Sequence, residues 1–134
     1  ASLDYTKHVE YKRELAISDT IAKLVIDAVE YDDIKVIVTT TMSGYTARKI
    51  SNLRPDCTIL ACCPSWEVAQ QIALNFGVKP VVTDIYDSTD DMIEAAKNSA
   101  QVEFDLKKGD LIILTGGFPL GKTRTTNYIR IVEI

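Results

Sequence analysis

Few residues here carry metal or thiol chemistry. The 134-residue chain has three cysteines, one histidine and one tryptophan. Cys57, Cys62 and Cys63 are an odd set with no C-x-x-C spacing, and His8 is far from them in sequence. A zinc site and a disulfide framework are therefore not expected. Cys62 and Cys63 read as reduced residues of a buried strand in a cytosolic protein, with a redox-sensitive thiol at the strand end as the other reading. No apolar run is long enough to span a bilayer, and the N-terminus lacks a signal-peptide pattern. Basic residues are not in excess: the net charge of -4 excludes a broad nucleic-acid surface but leaves room for a small anion site. With 46% hydrophobic and 25% charged residues, the composition is that of one globular domain.

What is present centres on residues 36–48. Val36-Ile37-Val38 is a short β-branched run and reads as a buried strand. A hydroxyl-rich turn follows, with Thr39, Thr40, Thr41, Met42, Ser43, Gly44 and Thr46, and a helical pattern (Ala47, Ile50, Leu53) starts at once. Backbone N–H groups at a helix start, joined by hydroxyl donors, suit a phosphate. Ser43 acting only as an N-cap fits the same residues.

Residues 1–16 are polar, lack a clear stripe and read as an arm. Ser18 is placed as the N-cap of a helix carrying Ile21, Leu24, Val25, Ala28 and Val29. The helix after Gly44 is expected to stop at Arg54-Pro55. A strand at 58–62 leads to Ser65 as the cap of a helix with Val68, Ala69, Ile72, Ala73 and Phe76, stopped by Gly77. Trp66 at its start is a packing residue or a stacking surface for a ligand. Residues 79–83 form the next strand. Ser88 opens a helix with Met92, Ala96 and Ala100 on one side. Asp90 and Asp91 in its first turn complement the helix dipole better than they make a metal site.

Lys107-Lys108-Gly109-Asp110 precedes a fourth strand at 111–114. The segment 115–127 holds Gly116, Gly117, Pro119, Gly121, Lys122, Arg124 and Thr125. The link to the last strand, 128–134, is too short for a parallel crossover, so that strand runs antiparallel. The result is a three-layer α/β/α sandwich whose five-stranded sheet is mostly parallel with its last strand antiparallel. Ligands in such sheets gather beyond the carboxyl ends of the strands. Both hydroxyl-rich turns leave there, which brings Lys122 and Arg124 within reach of an anion on Thr41 to Thr46.

Several motifs resemble one family, the C-terminal domain of pyruvate kinase, closest to its bacterial members. They are Thr41-x-Ser43-Gly44-x-Thr46-Ala47-Arg48, then Arg54-Pro55 and Ile59-Leu60-Ala61. Lys108-Gly109-Asp110-Leu111, the run from Thr115-Gly116-Gly117 to Gly121, and Thr125-Thr126-Asn127 follow in order. Leu3-Asp4-Tyr5 and Ile17-Ser18-Asp19 resemble the passage out of the family's catalytic barrel. On that resemblance, residues 1–16 are the linker from the barrel and 17–134 the α/β domain.

The resemblance implies a regulatory domain of a cytoplasmic homotetramer that transfers phosphate from phosphoenolpyruvate to ADP. A sugar-phosphate or nucleotide monophosphate effector would place its phosphate on Thr41, Met42, Ser43, Gly44 and Thr46. The loop from Gly116 to Thr126, with Gly117, Pro119, Gly121, Lys122, Arg124 and Thr125, would close over it. The domain would also supply a subunit interface. Nothing here replaces the barrel's metal-binding carboxylates, its phosphate-transfer lysine or its potassium site. The segment is expected to carry no cofactor and to be inactive alone, as an excised domain or a free-standing relative, while Mg²⁺ and K⁺ serve the full-length enzyme. Some bisphosphate-activated members carry a lysine at the position of Met42 and a cation at Tyr45, so a monophosphate fits better. A non-allosteric module that only joins subunits is the alternative. An independent phosphatase or phosphotransferase lacks a base beside the turn.

Overall fold

The computed structural model describes residues 2–41, 44–84, 88–116 and 128–134, with residues 2–16 and 89 described by their backbone. Five strands among these make one sheet in the order β3-β2-β1-β4-β5. In chain order the elements are α1 (Ser2–Tyr31), β1 (Ile34–Thr40), α2 (Tyr45–Asn52), β2 (Thr58–Cys63), α3 (Trp66–Ile72), β3 (Val78–Val82), α4 (Thr89–Glu103), β4 (Leu111–Gly116) and β5 (Tyr128–Glu133). β1 lies at the centre, parallel to β2 and β4. β5 pairs antiparallel with β4, as the short link to it requires.

Strand alternation sorts the core into two faces. Val36, Val38, Leu60, Cys62, Ile112 and Leu114 pack against Ala96 and Ala100 of α4. Ile37, Ile59 and Ile113 meet Ala22 and Val25 of α1 and Ile50 of α2. Ala61 and Cys63 continue that second face under Ala47 of α2 and Ala69 and Ile72 of α3. Thus α1, α2 and α3 cover one side and α4 the other, giving the expected three layers. Ile34 joins the α1 side with Ile37 because the register slips between Ile34 and Val36, a bulge that turns one residue across the sheet.

Local chemistry sets most helix ends. The Ser65 hydroxyl accepts the Val68 N–H and the Ser88 hydroxyl accepts the Asp91 N–H, so both expected caps are made. Met92, Ala96 and Ala100 form the buried side of α4. The Pro80 ring sits in β3, an edge strand that can lack one N–H.

Three expectations need correction. Ser18 is no N-cap: α1 runs unbroken from Ser2, and Ser18 lies inside it, 2% exposed. Residues 2–16 contain neither glycine nor proline and are rich in Lys, Arg, Glu and Leu, so weak amphipathicity hid a helix that nothing interrupts. Leu24, expected in the buried stripe, is 48% exposed. α3 ends at Ile72, leaving Ala73 and Phe76 exposed, because the Asn75 side-chain amide donates to the Ile72 carbonyl and closes the helix. Trp66 at its start projects outward and is exposed. Arg54 does leave the helical region before Pro55, but into the left-handed one at φ 53°. Its guanidinium lies 4.3 Å from the Phe76 ring centre, and the Ser51 hydroxyl donates to the Phe76 carbonyl at 2.6 Å. These contacts tie the end of α2 to the turn before β3.

One buried group near the carboxyl edge of the sheet is unsatisfied. Thr39 is fully buried and its hydroxyl oxygen has no hydrogen-bond partner among the described residues. A buried hydroxyl without a partner costs on the order of 1–3 kcal/mol. Thr39→Val keeps the branched shape and removes the polar atom, so it is expected to stabilise the fold by about 1 kcal/mol in urea unfolding.

Candidate functional site

The central strands β1 and β4 run side by side in parallel, with Thr39 opposite Thr115. Their carboxyl ends therefore leave the sheet at one edge, and both hydroxyl-rich segments start there. The Thr41 N–H donates to the Cys62 carbonyl at 2.9 Å, which extends the β1–β2 ladder one step beyond Thr40. The Thr41 hydroxyl then accepts the Gly44 N–H at 2.9 Å in a buried turn. Gly44 is the N-cap residue of α2, with φ 86° and no side-chain cap bond, and its carbonyl accepts the Arg48 N–H.

Gly44 has no substitute at this point. The left-handed backbone favours glycine, and a Cβ would overlap Ile72 of α3. Gly116 is equally confined: a Cβ there would run into the Thr40 hydroxyl, with the Tyr128 hydroxyl 3.1 Å away. The ends of β1 and β4 thus meet at a contact that only a bare Cα allows.

Of the sequence-predicted residues, Thr41, Gly44 and Thr46 are buried together at the start of α2, and Gly116 is buried at the end of β4. Met42, Ser43, Gly117, Pro119, Gly121, Lys122, Arg124 and Thr125 lie outside the described residues. The sequence reading passed over Arg48 as a site residue. It stands four residues after Gly44, and helical side chains lean toward the N-terminus. One guanidinium nitrogen consequently lies 3.0 Å from where a Gly44 Cβ would be. That i, i+4 spacing was the available signal. This cation adds to the partial positive charge of the helix start. Lys49 is engaged elsewhere: its ammonium pairs with Asp19 of α1 at 2.9 Å, and that hydrogen bond raises its pKa.

A separate open groove of about 850 Å³ lies at the opposite, amino edge of the sheet, bounded by Lys35, Arg54, Asp33, Asp56 and Phe76. Its two cations are matched by two carboxylates, so it offers an anion no net attraction.

Residues 19–132 match the family described as pyruvate kinase, alpha/beta domain. The chain belongs to that family. A pyruvate kinase of Staphylococcus aureus strain USA300 is 41% identical over 128 residues, covering 96% of this chain and 21% of that protein. The pyruvate kinase of the bovine strain RF122 / ET3-1 of the same species matches to the same extent, 41% over 128 residues. The chain spans about a fifth of the length of these relatives.

Within this pyruvate kinase alpha/beta domain the thiols are poor nucleophiles. Burial pushes Cys62 up to about 12 and Cys57 up to about 11, and it raises Cys63 as well. The Cys63 thiol also lies 3.5 Å from the Val81 carbonyl, to which it donates. All three remain protonated at neutral pH. Among the described residues no helix is long and apolar enough to cross a membrane.

Two outcomes follow. Gly44→Ala forces an L-residue into the left-handed region and onto Ile72, and it is expected to cost about 2–4 kcal/mol in urea unfolding. The thiol shifts also have a sign. From the ordinary 9.0 up to about 12 the folded chain holds protons at Cys62 that the unfolded chain has released. Stability is therefore complete below pH 9 and falls as pH rises through that window. Unfolding midpoints measured from pH 8 to 11 are expected to decline, and to decline less in Cys62→Ala.

Proposed function

We propose that this chain is the effector-binding regulatory domain of a pyruvate kinase, with a phosphate held on the turn from Thr41 to Thr46. One observation carries the reading: the adjacent parallel strands β1 and β4 end at one sheet edge, where α2 starts with Arg48 folded back toward Gly44. Backbone N–H groups at the helix start and the hydroxyls of Ser43 and Thr46 supply donors, and Arg48, Lys122 and Arg124 supply charge. Each charge-assisted bond contributes on the order of 1.5–3 kcal/mol, so two or three give micromolar to millimolar affinity. In this reading the ligand is a sugar or nucleoside monophosphate, since Met42 offers an anion only its backbone.

Phosphoryl transfer from phosphoenolpyruvate to ADP, with its Mg²⁺ and K⁺, is assigned to the family's catalytic barrel. Among the described residues no cluster of His, Cys, Asp or Glu has the makings of a metal site. The domain's remaining role is to join subunits of a cytoplasmic homotetramer.

A second reading, a module that only joins subunits, is favoured by the Thr41 hydroxyl, which is already committed to the Gly44 N–H. The two readings part in a titration of the chain with ribose 5-phosphate, AMP and fructose 1,6-bisphosphate. Effector binding is expected to give saturable heat with at least one, weakened about tenfold or more by Ser43→Ala, Thr46→Ala or Arg48→Gln. No heat from any of them, with the chain folded, leaves the subunit-joining module.

A further inference from the structure

The helices of this domain all end at the amino edge of the sheet. Strands β1 to β4 run in parallel, so α2, α3 and α4 each return from the end of one strand to the start of the next, and α1 leads into β1. Among the described residues nine large hydrophobic side chains are exposed, and four of them stand where α1, α2 and α3 stop. Tyr31 closes α1, Leu53 is the C-cap of α2, and Leu74 and Phe76 follow α3. Tyr31 and Leu74 are 90% exposed and Phe76 is 63% exposed. None of the four joins a cluster of the core. The 850 Å³ groove connects them, running from Asp33, two residues past Tyr31, to Arg54 and Phe76.

The apolar residues sit on a fixed surface. In the turn after α3 the Asn75 N–H and side-chain amide both donate to the Ile72 carbonyl. The Ser51 hydroxyl holds the Phe76 carbonyl and the Ile59 N–H holds that of Gly77. Arg54 keeps a left-handed backbone that glycine would adopt at less cost, and its guanidinium stacks 4.3 Å from the Phe76 ring centre. Among the described residues no carboxylate pairs with that guanidinium. Aromatic rings, an arginine and leucines held rigidly around a groove are what the centre of a protein interface is made of. Exposed apolar residues gathered on one face mark such a surface better than scattered ones do.

We propose that this end of the domain, from Tyr31 across the groove to Leu74 and Phe76, is where the catalytic barrel of a longer pyruvate kinase polypeptide docks. Four side chains of this size offer on the order of 400 Å². That is half of the roughly 800 Å² per partner of a stable free complex, but it suits an interface between domains of one chain. The Staphylococcus aureus relatives hold the matching segment in a polypeptide about five times as long, so such a partner is tethered and needs no large surface. The inference rests on the reading of this chain as one domain of such an enzyme. It is independent of effector binding.

A chimera tests it, with this chain in place of the matching segment of the strain USA300 enzyme, either unaltered or carrying Leu74→Lys and Phe76→Glu. In the isolated chain both side chains are exposed, so the double variant is expected to melt within about 3 °C of wild type. In the unaltered chimera, amide exchange at residues 74–77 is expected to slow about tenfold or more relative to the isolated chain. The double variant is expected to lose that protection, and the domain to melt separately from the rest or at least about 5 °C earlier. Equal melting and equal exchange in the two chimeras overturn the proposal. So does an unaltered chimera that leaves residues 74–77 unprotected or yields no folded enzyme. An isolated chain that sediments as a dimer, and as a monomer once the double change is made, gives the face to a second copy and overturns it as well. The effector reading is scored apart, because ribose 5-phosphate is expected to bind the isolated wild type and double variant alike.

Discussion

Two places where no Cβ fits govern this domain. At Gly44 the backbone turns left-handed against Ile72 of α3, and at Gly116 the end of β4 presses on Thr40 of β1. The first contact decides how α2 approaches α3, and the second decides how closely the two central strands can end. Because protein interiors do not deform continuously, shifting either point moves whole elements rather than one side chain. The carboxyl edge of the sheet inherits its shape from these two glycines.

Hydroxyls concentrate at that same edge. Thr39, Thr41, Thr46 and Thr115 are all buried there, while the clusters deeper in the sheet are built from Ile, Val, Leu, Ala and Cys. Thr41 and Thr115 make backbone hydrogen bonds, Thr46 has an interaction of its own, and Thr39 has no hydrogen-bond partner among the described residues. A fold selected for stability alone would place valine at such positions, since a buried hydroxyl gains little even when satisfied. Local departures from the best packing gather where a chain has something to bind.

Much of this was legible in the sequence. The β-branched run ending in threonines placed β1. Ser65 and Ser88 announced two caps, and the short link after β4 dictated an antiparallel β5. What escaped has physical reasons. The first half of α1 lacks a one-sided stripe, so periodicity missed a helix sustained by composition and by the absence of breakers. The end of α3 depends on the Asn75 side chain, a choice that glycine-based stop rules overlook. Arg48 was readable from its i, i+4 spacing to Gly44. The crowding of Gly116 by the Thr40 and Tyr128 hydroxyls was not, because it brings together three strands far apart in sequence.

The charge balance narrows what the proposed site can hold. The chain carries -4 overall, so a dianion feels no general attraction and must be held by local groups. At the described part of the edge these are the start of α2 and Arg48, which, like Lys49, already has an interaction of its own. Helix partial charge and one guanidinium suit one phosphate. A second phosphate several ångströms away would need its own cation, and the sequence from the end of β1 to the start of α2 has Met42 and Tyr45 instead. In the proposed reading, selectivity for a monophosphate follows from the missing cations.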